Sequence, residues 1–107
     1  MVKKFSSESD QSAVKRELSK NTPMVVRFHK ESCPACMMSE KTWDEFARKP
    51  PAGMKVLSIE EKAIPPEVMG GISGFPTYAV LGKNGGKKHH TGAMMNVTDI
   101  EKFTQRA

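Results

Sequence analysis

A chain of 107 residues, 37% hydrophobic and 27% charged, is sized for one domain over residues 1–107 with a modest core. Two cysteines are too few for a disulfide-stapled secreted scaffold, no run is long enough to span a membrane, and Met1-Val2-Lys3-Lys4-Phe5-Ser6-Ser7 lacks the apolar run of a signal peptide. The expectation is a cytoplasmic monomer whose thiols are kept reduced; the net charge of +5 fits acidic partners and solubility equally well, and eight methionines against one tryptophan and one tyrosine indicate an adaptable core or contact surface.

In chain order, Met1 to Phe5 reads as a short edge strand. Ser9-Asp10 offers caps for a helix over Gln11 to Ser19, with Val14 and Leu18 four apart on one face. Asn21-Thr22-Pro23 breaks it. Met24 to His29 is an apolar run that reads as a strand buried on both faces and therefore central in its sheet. A helix follows over Met37 to Arg48, with Cys36, Ser39, Trp43, Phe46 and Ala47 at helical spacing; Trp43 reads as core. Pro50-Pro51-Ala52-Gly53 ends it. Met54 to Ile59 alternates as a strand and runs into Glu60-Glu61. Pro65-Pro66 opens a short helical segment that Gly70-Gly71 closes. Thr77 to Leu81 is a strand, Lys83-Asn84-Gly85-Gly86 a hairpin turn, and Lys87 to Thr91 the antiparallel return. Asn96 or Thr98 caps a last helix with Val97, Ile100 and Phe103 toward the core. Strands joined by helices, then a closing hairpin and helix, give an α/β fold: a central mixed sheet of four to five strands flanked by helices on both faces.

The chemistry-bearing stretch is Glu31-Ser32-Cys33-Pro34-Ala35-Cys36-Met37-Met38, between the central strand and its helix. In that context a Cys-x-x-Cys pair reads as a redox dithiol. The attacking species in disulfide exchange is a thiolate, and a helix N-terminus favours one because its first N–H groups lack partners within the helix. Cys33 at the N-cap would accept bonds from the N–H groups of Ala35 and Cys36, with Pro34 at N1, where a missing N–H is harmless. Cys36, one turn in, is expected to be less exposed, to keep its proton longer and to resolve the mixed disulfide. Two other readings stand beside this one. A structural disulfide would close too small a loop to add much stability. Half of a zinc site lacks a second cysteine pair. His89 and His90 are adjacent on a strand and face opposite ways, a poor metal pair. Lys83, Lys87 and Lys88 lack the interleaved aromatic residues of nucleic-acid binding. No metal or organic cofactor is expected.

The element order, Cys33-Pro34-Ala35-Cys36, Gly74-Phe75-Pro76-Thr77 and Thr91-Gly92-Ala93 together resemble the thioredoxin family over nearly the whole chain. The resemblance implies the thioredoxin fold and a cis Phe75–Pro76 bond opposite the sulfurs. It also implies a substrate surface in which Phe75 offers its backbone to an extended partner segment, Pro76 keeps a backbone N–H away from the sulfurs, and Gly92 and Ala93 complete a small apolar contact. The sequence departs from the family in places. Ser32 stands where a tryptophan is usual, and Lys41 where a proline commonly kinks the helix. The Pro34-Ala35 interior is nearer to glutaredoxins, although their glutathione-binding signature is absent. Arg27 stands six residues before Cys33, where the family usually buries an acid that shuttles protons for the second cysteine, and Val56 is read as replacing the lysine that accompanies that acid.

An arginine cannot act as that base. Arg27 is expected to pack its stem inside and to reach solvent or a carboxylate with its head, leaving the Cys36 proton to water or to the partner. His29, four residues before Cys33, would stabilise a thiolate as imidazolium and do nothing as a neutral surface histidine; both stay open. Arg27 and His29 are thus the candidate modulators of thiol ionisation. The expected function is thiol–disulfide oxidoreductase, with Cys33 attacking and Cys36 resolving. Its partners are proteins carrying disulfides or thiols, and an electron donor, either a reductase or glutathione. The alternatives are a glutaredoxin-like, glutathione-dependent reductase and a non-catalytic adaptor of the same fold.

Overall fold

The computed structural model describes residues 2–82 and 86–105. The strands are β1 (Val2–Phe5), β2 (Met24–His29), β3 (Lys55–Glu60), β4 (Thr77–Leu81) and β5 (Lys87–Thr91), and the helices α1 (Gln11–Ser19), α2 (Pro34–Arg48), α3 (Pro66–Met69) and α4 (Val97–Thr104). The five strands form one sheet in the order β1-β3-β2-β4-β5. β1 and β2 run parallel to β3, whereas β4 runs antiparallel to β2 and β5 antiparallel to β4. The apolar run of β2 thus occupies the middle of the sheet, and the short β1 takes one edge.

Strand periodicity divides β2 between two layers. Met24, Val26 and Phe28 face one side with Val14, Leu57, Ile59, Ala63 and Ile64, beneath α1 and the α3 region. Val25 faces the other side, with Trp43, Phe46 and Ala47 of α2, Val56, Tyr78, Val80, Met94 and Ile100 of α4. The Trp43 and Phe46 rings lie 5.4 Å apart and those of Trp43 and Tyr78 5.9 Å apart. Truncating either Trp43 or Phe46 to alanine would cost about 3–5 kcal/mol. By the same alternation Arg27 and His29 are directed to the α2 side, and this decides much of the site below.

Several boundaries differ from the sequence expectation. α2 begins at Pro34 because Pro34 occupies N1 directly after the Cys33 cap. A 3₁₀ turn at Glu61–Ala63, unmarked in the sequence, follows β3; the Glu60 carboxylate accepts the Lys62 N–H at 2.6 Å and starts it. Asp10 is the N-cap of α1, but its carboxylate turns back to accept from Ser6 N, Ser7 N and Ser7 Oγ, all at 3.1 Å, so it caps the preceding Glu8–Asp10 turn instead. Lys83, Asn84 and Gly85 of the expected hairpin turn lie outside the described residues; on either side, Gly82 N–H donates to Gly86 O at 2.7 Å.

At the far end of the sheet Glu17 of α1 is buried and accepts from Lys3 of β1 at 2.9 Å, Lys20 at 2.9 Å and Lys55 of β3 at 3.4 Å. Those three ammonium groups hold its carboxyl down at about 2.

Candidate active site

The site forms where β2 ends and α2 begins. Glu31 and Ser32 turn the chain, with Ser32 in the left-handed region at φ 54°. Cys33 then has extended backbone and acts as N-cap. Its Sγ accepts the Cys36 N–H at 3.1 Å, and its thiol donates to Phe75 O at 3.7 Å. The expected second bond from Ala35 N–H does not form; only the N3 amide reaches the sulfur. Both cysteines are free thiols. They differ little in exposure, 6% for Cys33 and 5% for Cys36, so depth is not what distinguishes them. Surroundings are. Burial and the bond with the Cys33 sulfur push the Cys36 thiol up to about 11, only partly opposed by the Lys30 backbone and by the Arg27 charge.

Opposite the sulfurs, the Phe75–Pro76 peptide is cis. Gly74 O accepts the Thr77 hydroxyl at 2.6 Å, and Pro76 O accepts Gly92 N–H at 2.8 Å. Gly92 has φ 113°, a conformation that a side chain would strain. Beyond Ala93, Met94 N–H donates to the Tyr78 hydroxyl at 3.2 Å and Met95 O accepts the Thr42 hydroxyl at 3.3 Å. The structure thus brings Cys33, Phe75, Pro76, Gly92 and Ala93 to one end of the sheet. The Phe75 ring packs partly against the α1 side of the core, with Lys30 Nζ 5.3 Å from its centroid.

Arg27 corrects one expectation. Its head is buried and, among the described residues, meets no carboxylate. The residue is 2% exposed, and Nη2 donates to Cys36 O at 2.8 Å and Ser39 Oγ at 3.0 Å. Its Cζ is 6.0 Å from the Tyr78 ring centroid, and Nε has no hydrogen-bond partner among the described residues. The reason is geometric: strand alternation aims position 27 at the first turns of α2, where a backbone carbonyl and a hydroxyl are the available acceptors. Val56 lies level with Val25 in the apolar layer, on the same face of the sheet as Arg27, and the β3 residue directly beside Arg27 is Ser58. His29 is half-buried, and burial together with the Arg27 charge lowers its pKa against the pull of Glu60 and Glu40. That shift favours the neutral imidazole over the imidazolium, in a side chain that is half-buried rather than free at the surface.

Three methionines are exposed: Met37 and Met38 at 68% and 66% on α2, Met37 in the wall of the cleft beside Cys36, and Met95 at 49% beyond Ala93. Their number pointed to an adaptable core or contact surface without placing it. The available signal was that 37 and 38 fall outside the stripe of Cys36, Ser39, Trp43, Phe46 and Ala47. His90 stacks by its ring near Tyr78 and Phe103, 6.2 Å from each, which accounts for it as packing. Among the described residues, no group of three or more His, Cys, Asp or Glu side chains is arranged to hold a metal ion, and no helix is long and apolar enough to cross a membrane.

A mixed sheet with a dithiol at the N-terminus of the helix that follows its central strand, faced by a cis-prolyl segment, defines a thioredoxin-fold protein with a cysteine pair consistent with redox function. The family model described as Thioredoxin matches residues 3–106, and the chain belongs to the thioredoxin family. Solved structures agree on the fold. The thioredoxin of Malassezia sympodialis superposes with a TM-score of 0.75 at 19% identity, over 99% of this chain and 90% of that one. Mitochondrial thioredoxin 3 of Saccharomyces cerevisiae gives 0.72 at 17%, over 99% and 95%, and chloroplastic thioredoxin z gives 0.72 at 23%, over 98% and 92%. No curated protein sequence matches the chain.

Proposed function

We propose that the protein is a thiol–disulfide oxidoreductase that exchanges electrons with protein disulfides through Cys33 and Cys36. The observation that carries this reading is the Cys33 sulfur at the N-cap of α2, held 3.1 Å from the Cys36 amide and 3.7 Å from Phe75 O. A sulfur so placed has a positive helix end behind it and a backbone edge before it. In the reducing direction, Cys33 as thiolate attacks one sulfur of the partner disulfide, a mixed disulfide forms, and the first partner thiolate leaves. Cys36 then attacks Cys33, the Cys33–Cys36 bond forms and the second partner thiolate leaves; the dithiol has lost two electrons and the partner has gained them.

Phe75 and Pro76 are proposed to receive an extended partner segment by backbone pairing, with Gly92 and Ala93 supplying a close apolar contact. Met38 and Met95 extend that contact with exposed, flexible and polarisable side chains that fit varied sequences. Recycling requires an electron donor, a reductase or glutathione, and no cofactor takes part in the exchange itself.

Reduction of a disulfide-bonded peptide, followed with each candidate donor in turn, tests the reading. Turnover that requires both cysteines is the expected result. Turnover only with glutathione would move the protein to the glutaredoxin-like class. Two thiols that never close on each other under mild oxidant would leave an adaptor with an inherited fold.

A further inference from the structure

Displacement by Cys36 requires its thiol to lose a proton, and its surroundings oppose that loss, holding it at about 11. The side chain directly beneath it, Arg27, carries donors only. Ser39 already donates its hydroxyl proton to Ala35 O at 2.7 Å. The acceptor must therefore lie elsewhere within reach of Cys36.

On the side of Cys36 away from Phe75 is a cleft of about 300 Å³ whose walls include Cys36, Arg27, His29, Glu40 and Glu60. An adjoining hollow of about 180 Å³ shares Arg27, His29 and Glu40 with it. Both are roomy enough for water. His29 sits two residues after Arg27, so strand alternation places it on the same side of the sheet, under α2. Among the described residues neither imidazole nitrogen hydrogen-bonds a protein atom, and His29 lines both spaces. The charges around the imidazole are Arg27 on its own strand, Lys4 on β1, Glu60 on β3, and Glu40 and Asp44 on α2, with Lys30 and Glu31 at the cleft wall. Burial and Arg27 prevail over Glu60 and Glu40 and favour the neutral ring, the form with a free lone pair. Glu60 accepts the Lys62 N–H at 2.6 Å through one oxygen and keeps acceptor capacity, but a carboxylate is ordinarily a weaker base than an imidazole. Glu40 stands on the exposed face of α2.

We propose that His29 is the proton acceptor for Cys36 in the displacement step, taking over a task that Arg27 cannot perform. The Cys36 S–H proton passes through cleft water to the imidazole, the resulting thiolate attacks the Cys33 sulfur of the mixed disulfide, the Cys33–partner bond breaks, and the partner leaves as thiolate. The imidazolium returns its proton to solvent through the open mouth of the cleft. His29 is in this scheme a positioning and proton-accepting residue that acts through water. The inference rests on the exchange reading of the dithiol.

An aromatic disulfide with a coloured thiolate leaving group, 5,5′-dithiobis(2-nitrobenzoate), separates the two steps in the full chain. The first coloured release reports attack by Cys33 and the second reports displacement by Cys36. His29→Gln is expected to leave the first rate unchanged and to slow the second about tenfold at pH 7, at the low end of general-base effects. In the wild type, the second rate plotted against pH should carry an inflection below the ordinary histidine range, and His29→Gln should lose it. Free imidazole should restore the second rate of His29→Ala and leave the wild type unchanged. An unaltered second rate in His29→Gln, equal slowing of both releases, failure of imidazole rescue, or loss of the inflection in Glu60→Gln or Glu40→Gln instead would overturn the proposal. Absence of both releases in the wild type would instead overturn the exchange reading itself.

Discussion

The two sulfurs are three residues apart and nearly equal in exposure, yet they face different chemistry. Cys33 faces a front made of backbone and small apolar groups: Phe75 O, Pro76 and Gly92. Cys36 backs onto a charged cleft whose floor is a buried guanidinium bonded to the Cys36 carbonyl. The difference teaches that burial alone does not set a thiol's role. A partner must reach the first sulfur, whereas the second must only lose a proton and turn on its neighbour. The front therefore supplies contact and the back supplies electrostatics.

The comparison breaks most completely if the division between the sulfurs is removed. In Cys36→Ser, turnover of a peptide disulfide should fall by several orders of magnitude while a covalent adduct accumulates on Cys33, read by mass under non-reducing conditions. Turnover without Cys36 would show that the two surroundings are not two roles.

The back is tested next. Arg27→Ala should lose about 2–4 kcal/mol in urea unfolding, since it empties a packed site and strips a donor from Cys36 O and Ser39 Oγ. Arg27→Met keeps the stem and removes a buried charge that has no carboxylate partner among the described residues, so it should stay within about 1.5 kcal/mol of wild type. The same variant should raise the Cys36 pKa further, because the cation that opposes its burial is gone. Alkylation of Cys36 against pH checks this; an unmoved pKa would mean that the guanidinium serves packing only.

The front is sharpened by Gly92→Ala. At φ 113° an alanine is strained, and a loss of about 1–2 kcal/mol is expected. Because Gly92 N–H is tied to Pro76 O, reaction with peptide disulfides should weaken more than reaction with a small aromatic disulfide.

A region remote from both sulfurs gives the smallest effect and the control. Glu17→Gln should lose about 1 kcal/mol at pH 7 with thiol reactivity unchanged, since Lys3, Lys20 and Lys55 are partly exposed and screened. The sign follows from a folded carboxyl held at about 2, below its ordinary 4.5. The stabilisation is present above the ordinary value and disappears as pH falls toward 2. Wild type and Glu17→Gln should therefore converge in urea midpoint between pH 6 and pH 2; a constant gap would mean that Glu17 acts by shape.

Much of the fold was legible because its signals are local. The stripe of Cys36, Ser39, Trp43, Phe46 and Ala47 appears in the structure as the buried face of α2, and Pro34 after Cys33 marks the helix start. The central place of β2 followed from a run too apolar to lie at an edge. The 3₁₀ turn after Glu60 was not legible, since one carboxylate bonding the amide two residues on leaves no periodic trace. That Ser58 lies beside Arg27 on β3 was not legible, because the register between two strands is invisible in either strand alone.

By itself the sequence determined that two thiols meet at the start of a helix after a buried strand, because spacing, capping and hydrophobic period act within a dozen residues. Only the tertiary structure decided what each thiol faces. Position 27 points under α2, position 29 opens on the cleft and Phe75 O lies across from Cys33, because these contacts join residues far apart in the chain through sheet register and the direction of each strand's side chains.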